Sequence, residues 1–388
     1  MFLIDKPYIS KFLIQTIRDN NFNVIATKSA KELVNDESLS WISEDKAISI
    51  IKNNPETPIY AVSENALSWI TNNLGKLKLS SQIQLLKDKA NFRELIRTSF
   101  PDFFFRTVKL EDIQNLSIED LPFPFVIKPT VGFFSIGVHI VKSKQDWNIA
   151  KNELNIDNLK SIFPSDVLNT STFIIEEFIE GDEYAIDYYH NNKGEVVILN
   201  ILHHMFTSGT DTIDRVYSTS KDIINNFKED IENFLNSIGK NIGLKNFPAH
   251  AEIRIDADKK ITPIEINPLR FGGWCTTGDL SGIALGFNSY ECFFTNQKPD
   301  WDQIYKNKTG KKYSLVVLNN NSGIVPEKIK QFNYNLLAQD FENPLVVREL
   351  DIKQYPVFGF LFTETSLGNE EELKNILVSD LKKYITEV

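Results

Sequence analysis

The stretch EIRIDADKKITPIEINPLRFGG, residues 252–273, contains two short segments of alternating apolar residues joined by a polar turn. A two- or four-residue turn centred on Asp258 and Lys259 predicts a β-hairpin that pairs 256 with 261, 254 with 263, 252 with 265 and 250 with 267. Glu252 then lies directly opposite Glu265. Like charges in that position destabilise a sheet.

Alternation along the two strands predicts one polar face and one apolar face for this hairpin. The apolar face carries four isoleucines, namely Ile253, Ile255, Ile264 and Ile266. The polar face carries His250, Glu252, Glu265 and Asn267. A divalent cation would offset the repulsion, because Mg²⁺ prefers oxygen ligands from one or two carboxylates together with substrate phosphates. The alternative is a surface hairpin whose acids repel each other weakly in water.

A second candidate region is FPFVIKPTVGFFSIGV, residues 123–138, where a predicted strand ends near Lys128. The loop that follows contains Gly132 and Gly137. Glycines let backbone N–H groups approach phosphate oxygens closely, and a lysine supplies the counter-charge. The loop is not a P-loop, since GxxxxGK[ST] is absent from the chain. A β-hairpin loop that binds no ligand is the alternative interpretation.

A third candidate region is FIIEEFIEGDEYAID, residues 173–187, which reads as a strand followed by a turn at Gly181. Alternation places Glu176 and Glu177 on opposite faces of the strand. A carboxylate at a strand end can accept a hydrogen bond from the exocyclic amine of a purine. Glu183, beyond the turn, could accept hydrogen bonds from ribose hydroxyls. A solvated acidic hinge is the alternative.

The remaining sequence predicts a mixture of strands and helices. Short apolar runs alternate with helical patterns at the N-terminus, which predicts βαβ units and a small parallel sheet. Residues 80–99 and 221–241 predict amphipathic helices. The tail from about residue 300 mixes strands with a final helix over 370–385.

The composition excludes several functional classes. The net charge of −10 argues against a general affinity for nucleic acid or an anionic membrane surface. No apolar run approaches the ~18 residues of a membrane helix, and the N-terminus does not resemble a signal peptide. Two cysteines, Cys275 and Cys292, cannot form a Cys-rich zinc site or a disulfide framework. We therefore expect a soluble cytoplasmic protein with no nucleic-acid or membrane partner.

Taken in order, the three regions resemble the ATP-grasp superfamily of carboxylate–amine and carboxylate–thiol ligases over roughly residues 80–300. Biotin carboxylase, D-alanine–D-alanine ligase and L-amino-acid ligases belong to it. The resemblance implies an α/β (α+β) chain with an ATP-grasp fold. Its implied domains are a Rossmann-like pre-ATP-grasp domain at 1–85, an ATP-grasp domain at 86–300 with a mobile lid at about 121–180, and an α/β segment at 301–388.

The resemblance also implies roles for individual residues. The residues implied for ATP are Lys89, Lys128, Gly132, Phe134, Ser135, Gly137, Glu176, Glu177, Phe178, Ile179 and Glu183. The two lysines and the loop would contact phosphates, Glu176 and the following backbone the adenine, and Glu183 the ribose. The residues implied for one or two Mg²⁺ ions, with Mn²⁺ as an alternative, are Glu252, Glu265 and Asn267. The residues implied for the phosphate or the substrate are Arg270 and Arg215, with a solvated loop arginine as the alternative for Arg215. His250, which faces Asn267, could polarise a developing charge near pH 7, and a structural histidine is the alternative.

The sequence departs from the family pattern after Asn267. Most members have an arginine two places after this asparagine, whereas here Leu269 holds that place and Arg270 follows it. Arg270 is therefore the candidate for the γ-phosphate or the acyl phosphate. The loop also carries Phe133 and Phe134 where smaller residues are common. Other candidates for substrate contacts are His203, His204, Trp274, Cys275 and Thr276.

The implied function is an ATP-dependent ligase that activates a small carboxylic acid, an amino acid among them, as an acyl phosphate and joins it to an amine. A carboxylase- or purine-pathway-type ATP-grasp enzyme is one alternative. A non-catalytic ATP-binding regulatory module is another. The expected partners are small-molecule carboxylate and amine substrates, with a homodimer as an open option.

Overall fold

A computed structural model describes four ranges of the chain, residues 1–131, 137–155, 172–208 and 213–388. Three residues predicted to contact phosphates, Gly132, Phe134 and Ser135, lie outside these ranges, as does Phe133. Among the described residues, no helix combines the length and apolar character needed to cross a membrane.

The described chain divides into two compact units. The smaller unit runs from Ser81 to Gly181, and the larger one combines Met1–Ser80 with Asp182–Val388. The predicted domain divisions near residues 85 and 300 remain predictions.

The larger unit begins with a four-stranded parallel sheet in the order β3-β2-β1-β4. Its strands are β1 (Phe2–Leu3), β2 (Asn23–Ile25), β3 (Ser40–Ile42) and β4 (Tyr60–Ala61). The helices of this region are Lys11–Asp19, Lys28–Leu33, Glu44–Asn53 and Leu67–Leu74. Ser10, Thr27 and Ser43 cap the first three, because each hydroxyl accepts a backbone N–H of the first turn. The predicted βαβ arrangement is confirmed.

The smaller unit contains a four-stranded antiparallel sheet in the order β5-β8-β6-β7. Its strands are β5 (Phe105–Lys109), β6 (Phe125–Pro129), β7 (His139–Val141) and β8 (Thr172–Glu177). Its helices are Lys89–Ile96, Lys144–Glu153 and the 3₁₀ segment Leu110–Asn115. The prediction of one helix over 80–99 is wrong. The first helix, Lys78–Lys87, ends before Asp88. The backbone of Asp88 is extended, and its side chain caps the next helix, Lys89–Ile96.

The remaining strands of the larger unit lie between residues 182 and 387. They are β9 (Asp182–His190), β10 (Val196–Met205), β11 (Val216–Ser220), β12 (Phe247–Ile255), β13 (Ile261–Pro268), β14 (Lys311–Asn319), β15 (Ile329–Phe332), β16 (Asn343–Glu349), β17 (Val357–Ser366) and β18 (Ile385–Glu387). Eight of them form an antiparallel sheet in the order β13-β12-β9-β10-β11-β14-β17-β16. β15 pairs with β18. The segment after residue 300 thus contributes three strands to the sheet that also contains the hairpin of β12 and β13.

The helices of this part include Lys221–Ile242, close to its predicted span. The others are Thr276–Leu280, Ser289–Thr295, Trp301–Ile304, Tyr334–Ala338 and Glu371–Val378, with short 3₁₀ or π segments at Gly273–Cys275, Ser281–Leu285, Pro326–Lys328 and Lys382–Tyr384. The prediction of a final helix over 370–385 is too long. The helix ends at Val378, and the chain continues into β18.

The β12–β13 hairpin confirms the two decisive pairs of the predicted register and corrects the others. Glu252 pairs with Glu265, and His250 pairs with Asn267. However, Ile255 pairs with Ile261 across a five-residue turn, so the predicted turn length is wrong. The side chain of Asp256 closes this wider turn by accepting from the N–H groups of residues 258 and 260, at 3.0 and 2.9 Å.

A β-bulge restores the register of this hairpin. Ile253 pairs with Pro263 and Glu252 with Glu265, which leaves Ile264 as the extra residue. Ile264 is accordingly half-buried, and Pro263 occupies the buried position that the alternation predicts for Ile264. Pro263 is tolerated because β13 is the edge strand of the sheet.

Candidate functional site

One face of the eight-stranded sheet carries three parallel rows of side chains. Directly paired residues of neighbouring strands point to the same face, as do residues two apart along a strand. The first row is Asn267, His250, Asp187 and Asn200; the second is Glu265, Glu252, Ala185 and Leu202; the third is Arg254, Glu183, His204 and Tyr217. The predicted metal residues and His250 therefore share one face of the larger unit.

The first row fixes the orientation of His250. Its Nδ1 lies 2.7 Å from Oδ1 of Asp187, a fully buried carboxylate. An ionised carboxylate only accepts, so Nδ1 carries the proton and donates. The other ring nitrogen, Nε2, lies 3.9 Å from Oε1 of Glu252. His250 is therefore held with its second nitrogen toward the acidic pair.

The second row brings two carboxylates together beside the amide of Asn267 in the first row. Nδ2 of Asn267 donates to Oε1 of Glu265 at 2.9 Å. Within the described ranges, no group of three His, Cys, Asp or Glu side chains is arranged to hold a metal ion. An ion here would therefore depend on Glu252, Glu265, the amide oxygen of Asn267 and oxygens of a ligand. This donor set fits Mg²⁺, which takes few protein carboxylates and completes its shell with phosphate and water.

The third row is a buried charge network around Glu183. One carboxylate oxygen of Glu183 lies 3.0 Å from Nδ1 of His204, and the other accepts two bonds of 3.2 Å from Arg254. The ring of Tyr217 stacks on His204 with centroids 4.1 Å apart. Burial alone would raise the pKa of Glu183, but His204 and Arg254 lower it overall. Both oxygens are thus already engaged, and a ribose would have to share one of them.

The chain leaves β13 through a left-handed residue, Leu269, with φ of 59°. Its side chain is 1% exposed, so it belongs to the core and does not replace the family arginine. Arg270 is half-buried and donates from Nη1 to the carbonyl of Phe271 at 3.0 Å. Its Nε is buried and has no hydrogen-bond partner among the described residues. A buried charged donor without a partner is costly, so Arg270 retains capacity to bind an anion.

Arg215 has contacts that differ from those predicted for a substrate residue. Its side chain is 1% exposed. Nη1 donates to the carbonyls of Ile376, at 3.0 Å, and Ser379, and Nη2 lies 3.5 Å from the carbonyl of Asn319. These contacts tie β11 to the C-terminal segment, and they favour a structural role over the predicted anion-binding role.

The smaller unit contains a buried cluster of charges built around Glu176. Oε2 of Glu176 accepts from Nε of Arg93 at 2.8 Å, and Oε1 pairs with Nζ of Lys128. The backbone N–H of Lys89 donates to the carbonyl of Thr130 at 2.8 Å, which places Lys89 beside the end of β6. The structure thus brings Lys89, Lys128 and Glu176 together with Arg93, whereas the separate phosphate and adenine roles of these residues remain predictions.

The cluster carries more positive than negative charge. Burial would raise the pKa of Glu176, but Arg93 and Lys128 lower it to about 2, so it is ionised. Burial lowers the pKa of Lys128; Glu176 opposes this effect, and the charges of Arg93 and Lys89 add to it. Glu176 thus pairs with two cations, Arg93 and Lys128, and basic side chains of this kind can bind a phosphate ligand.

The segment after β8 uses some of the backbone groups that were predicted to flank the adenine. The N–H of Glu177 donates to the carbonyl of Phe104, and that of Phe178 to the carbonyl of Pro124, both at 3.1 Å. Ile179 lies just beyond the end of β8, after Phe178. Gly137, at the far end of the phosphate loop, has φ of +76°. Contacts of these residues with a nucleotide remain predictions.

Three charged residues of these clusters were not predicted from the sequence, namely Asp187, Arg93 and Arg254. Asp187 had a detectable signal, since it is an acidic residue within the otherwise uncharged run YAIDYYH of β9. Arg93 had no comparable signal, because an arginine in a polar helix usually faces solvent. Its burial depends on Glu176, which lies far away in the sequence.

Sequence comparison relates part of the chain to known proteins. An ATP-grasp domain model matches residues 121–278. Alanine–anticapsin ligase of Bacillus amyloliquefaciens is 23% identical over 292 residues, which cover 69% of this chain and 60% of that protein. The chain therefore spans less than two thirds of the length of this relative.

Solved structures confirm the fold. The L-amino acid ligase of Bacillus licheniformis superposes with a TM-score of 0.70 at 15% identity, covering 100% of this chain and 98% of that one. A biotin carboxylase domain of Hydrogenobacter thermophilus, solved with MgADP, ADP and bicarbonate, gives a TM-score of 0.63 at 11% identity and covers 100% of this chain and 90% of that one. Residues 121–278 thus match an ATP-grasp domain, and the chain shares the fold of these solved structures.

Proposed function

We propose that the protein is an ATP-dependent carboxylate–amine ligase that activates a small carboxylic acid, an amino acid among them, as an acyl phosphate with release of ADP and phosphate. The observation that carries this proposal is the register of β12 and β13, which sets Glu252 opposite Glu265. Two carboxylates kept opposite each other on an edge hairpin are stabilised by a cation. The names of alanine–anticapsin ligase and L-amino acid ligase support the choice of an amino acid.

Each unit contains residues with a proposed role in binding ATP or Mg²⁺. In the smaller unit, Lys89 and Lys128 would bind phosphate oxygens, and Arg93 would hold Glu176 ionised when Lys128 turns to the phosphate. In the larger unit, Glu252, Glu265 and Asn267 would hold Mg²⁺, in keeping with the MgADP bound by the biotin carboxylase domain. Bound Mg²⁺ would neutralise charge on the phosphate oxygens.

The reaction consists of two displacements. A carboxylate oxygen of the substrate attacks the γ-phosphorus, the bond to the bridging oxygen breaks, and ADP leaves. The amine nitrogen then attacks the acyl carbon, phosphate leaves, and the nitrogen loses a proton. No nucleophile of the protein is required, so catalysis consists of positioning and charge stabilisation. Arg270 would stabilise the transferred phosphoryl group, and His250, oriented by Asp187, would contact the reacting groups through Nε2.

The proposal is tested by incubating the purified protein with Mg-ATP and pools of amino acids or other carboxylates, and measuring phosphate and ADP. Hydroxylamine is added in parallel as a trap, because it converts an acyl phosphate to a hydroxamate. Stoichiometric hydroxamate and ADP that depend on one carboxylate are the expected result. Glu229→Gln changes an exposed helix position and serves as the control for substitutions of Glu252 or Glu265.

Three results would overturn the proposal in different ways. Turnover that depends on bicarbonate alone would indicate a carboxylase-type enzyme. Tight ATP binding without turnover on any pool would indicate a regulatory module. ADP formation with no hydroxamate under saturating trap would show that no acyl phosphate forms.

A further inference from the structure

The turn that follows β13 holds two successive residues in a strained conformation. Trp274 and Cys275 have φ of 58° and 57°, in the left-handed region that L-residues other than glycine rarely adopt. Such a conformation is unfavourable for these residues, so it persists only where the surroundings enforce it. The turn therefore depends on contacts from outside itself.

Several contacts enforce this turn. Thr276 Oγ1 donates to the carbonyl of Gly273 at 2.7 Å, and the N–H of Gly272 donates to Thr277 Oγ1 at 2.8 Å. These bonds are local. A contact from outside comes from Arg348, whose Nη1 donates to the carbonyl of Trp274 at 3.2 Å.

Arg348 is itself anchored in the interior. Its Nη2 pairs with Asp279, a carboxylate that is 0% exposed and also accepts from the hydroxyl of Tyr290 at 2.9 Å. The guanidinium lies 5.1 Å from the centroid of the Phe362 ring. Burial raises the pKa of Asp279 to about 6, although Arg348 pulls it down. Arg348 belongs to β16, within the segment after residue 300 to which the sequence assigned no role.

The turn presents the indole of Trp274 beside other aromatic rings. The ring centroids of Tyr8, Tyr355 and Phe360 lie 6.0, 5.6 and 6.0 Å from that of Trp274. Trp274, Tyr8 and Tyr355 are each half-buried, so the group offers an apolar surface to a ligand. Along the chain, this turn follows Asn267 and Arg270 by a few residues, just beyond the end of β13.

We propose that Arg348 is a positioning residue that fixes the Trp274–Cys275 turn, and that this turn receives an apolar side chain of the carboxylate substrate. The assignment of that side chain to a substrate rests on the proposed function. The positioning of Trp274 by Arg348 does not. The C-terminal segment thereby takes part in substrate selection through a single side chain.

The kinetic test compares Arg348→Met and Arg348→Lys with Arg18→Met. Arg18 pairs with Asp36 elsewhere in the larger unit and serves as a matched arginine–aspartate control. Arg348→Lys keeps a charge beside Asp279 but shortens the reach to Trp274, so it isolates the contact with the turn. We expect both Arg348 variants to raise KM for a carboxylate with an apolar side chain by about tenfold, as a lost charged hydrogen bond would, with KM for ATP unchanged.

A spectroscopic test does not depend on turnover. The protein is labelled with 5-fluorotryptophan, and the ¹⁹F resonance of Trp274 is assigned as the one lost in Trp274→Phe. We expect this resonance to shift or broaden in Arg348→Lys and to stay in place in Arg18→Met. An unmoved resonance in a folded Arg348→Lys or Arg348→Met protein would overturn the positioning role.

The two tests separate the possible failures. If the wild type activates no carboxylate, the proposed function fails and the resonance alone decides the role of Arg348. If the resonance moves while KM for the carboxylate stays the same, Arg348 positions the turn but the turn does not receive the substrate, and that half of the proposal is overturned. If Arg348→Met does not fold, Arg348→Lys supplies both measurements.

Discussion

At the scale of single residues, the pair formed by Glu252 and Glu265 carries the proposed metal role. Replacing Glu265 by glutamine keeps the shape of the side chain and removes one negative charge. We expect the apparent affinity for Mg²⁺ to fall on the order of 10- to 100-fold, measured as the Mg²⁺ dependence of ATP turnover or of nucleotide binding. Glu229→Gln should leave this dependence unchanged. An unaltered Mg²⁺ dependence in Glu265→Gln would contradict the proposed role.

The sequence predicted the residues of this pair and missed the groups that hold their neighbours. Alternation along β12 and β13 was sufficient to place His250, Glu252, Glu265 and Asn267 on one face. Asp187 had a local signal but its partner His250 could not be inferred, and Arg93 gave no signal, because both contacts join segments that are distant in the sequence. The contacts of Arg348 with Asp279 and Trp274 arise in the same way. Side-chain period is a local property, whereas the compensation of a buried charge is a tertiary one.

At the scale of elements, Arg215 connects β11 to the segment that follows helix Glu371–Val378. Arg215→Met keeps much of the apolar stem but leaves the carbonyls of Ile376 and Ser379 without this donor. We expect the free energy of unfolding to fall by about 2 kcal/mol, measured by urea denaturation, with no change in nucleotide affinity. Weaker nucleotide binding at unchanged stability would instead restore the predicted anion-binding role.

Element boundaries followed from the sequence where the apolar pattern is strong and failed where capping decides. The helix Lys221–Ile242 was predicted because its periodicity is long and regular. The break at Asp88 and the five-residue turn closed by Asp256 were not predicted. In both cases one aspartate side chain binds backbone N–H groups and changes the local course of the chain, and many sequences contain aspartate without that effect.

At the scale of the whole molecule, the segment after residue 300 completes the sheet that carries the candidate site. Deleting residues 301–388 would remove β14, β16 and β17 and leave β11 as an edge with unpaired backbone groups. It would also open the apolar core in which Val216 packs against residues of that segment. We expect the shortened protein to aggregate, as judged by its soluble fraction and size-exclusion profile. A monodisperse, folded product would show that the segment is dispensable.

The pH dependence of stability should reflect His190 in β9. This side chain is 1% exposed, and its burial lowers the pKa to about 4 from the ordinary 6.5. The folded state then binds fewer protons than the unfolded state between these values, so stability is complete above about pH 6.5 and is lost as pH falls toward 4. The linked loss is about 3 kcal/mol.

The measurement compares urea denaturation of the wild type and His190→Gln from pH 7.5 to 4.5. The variant lacks the titrating ring, so its stability should fall less over this range, even if it starts lower. Equal slopes for the two proteins would mean that His190 does not titrate on unfolding in this window.

The bulge at Ile264 also affects how the sequence of this hairpin is aligned with related sequences. Because the bulge absorbs the odd residue of the turn, the separation of Glu252 and Glu265 along the chain does not report the length of the turn. Insertions and deletions near residues 256–260 can be offset at Ile264 without parting the two carboxylates. Gaps in alignments of this region can therefore be placed at the bulge as well as at the turn. A sequence motif that is defined by the length of the turn alone will place Glu265 at the wrong position.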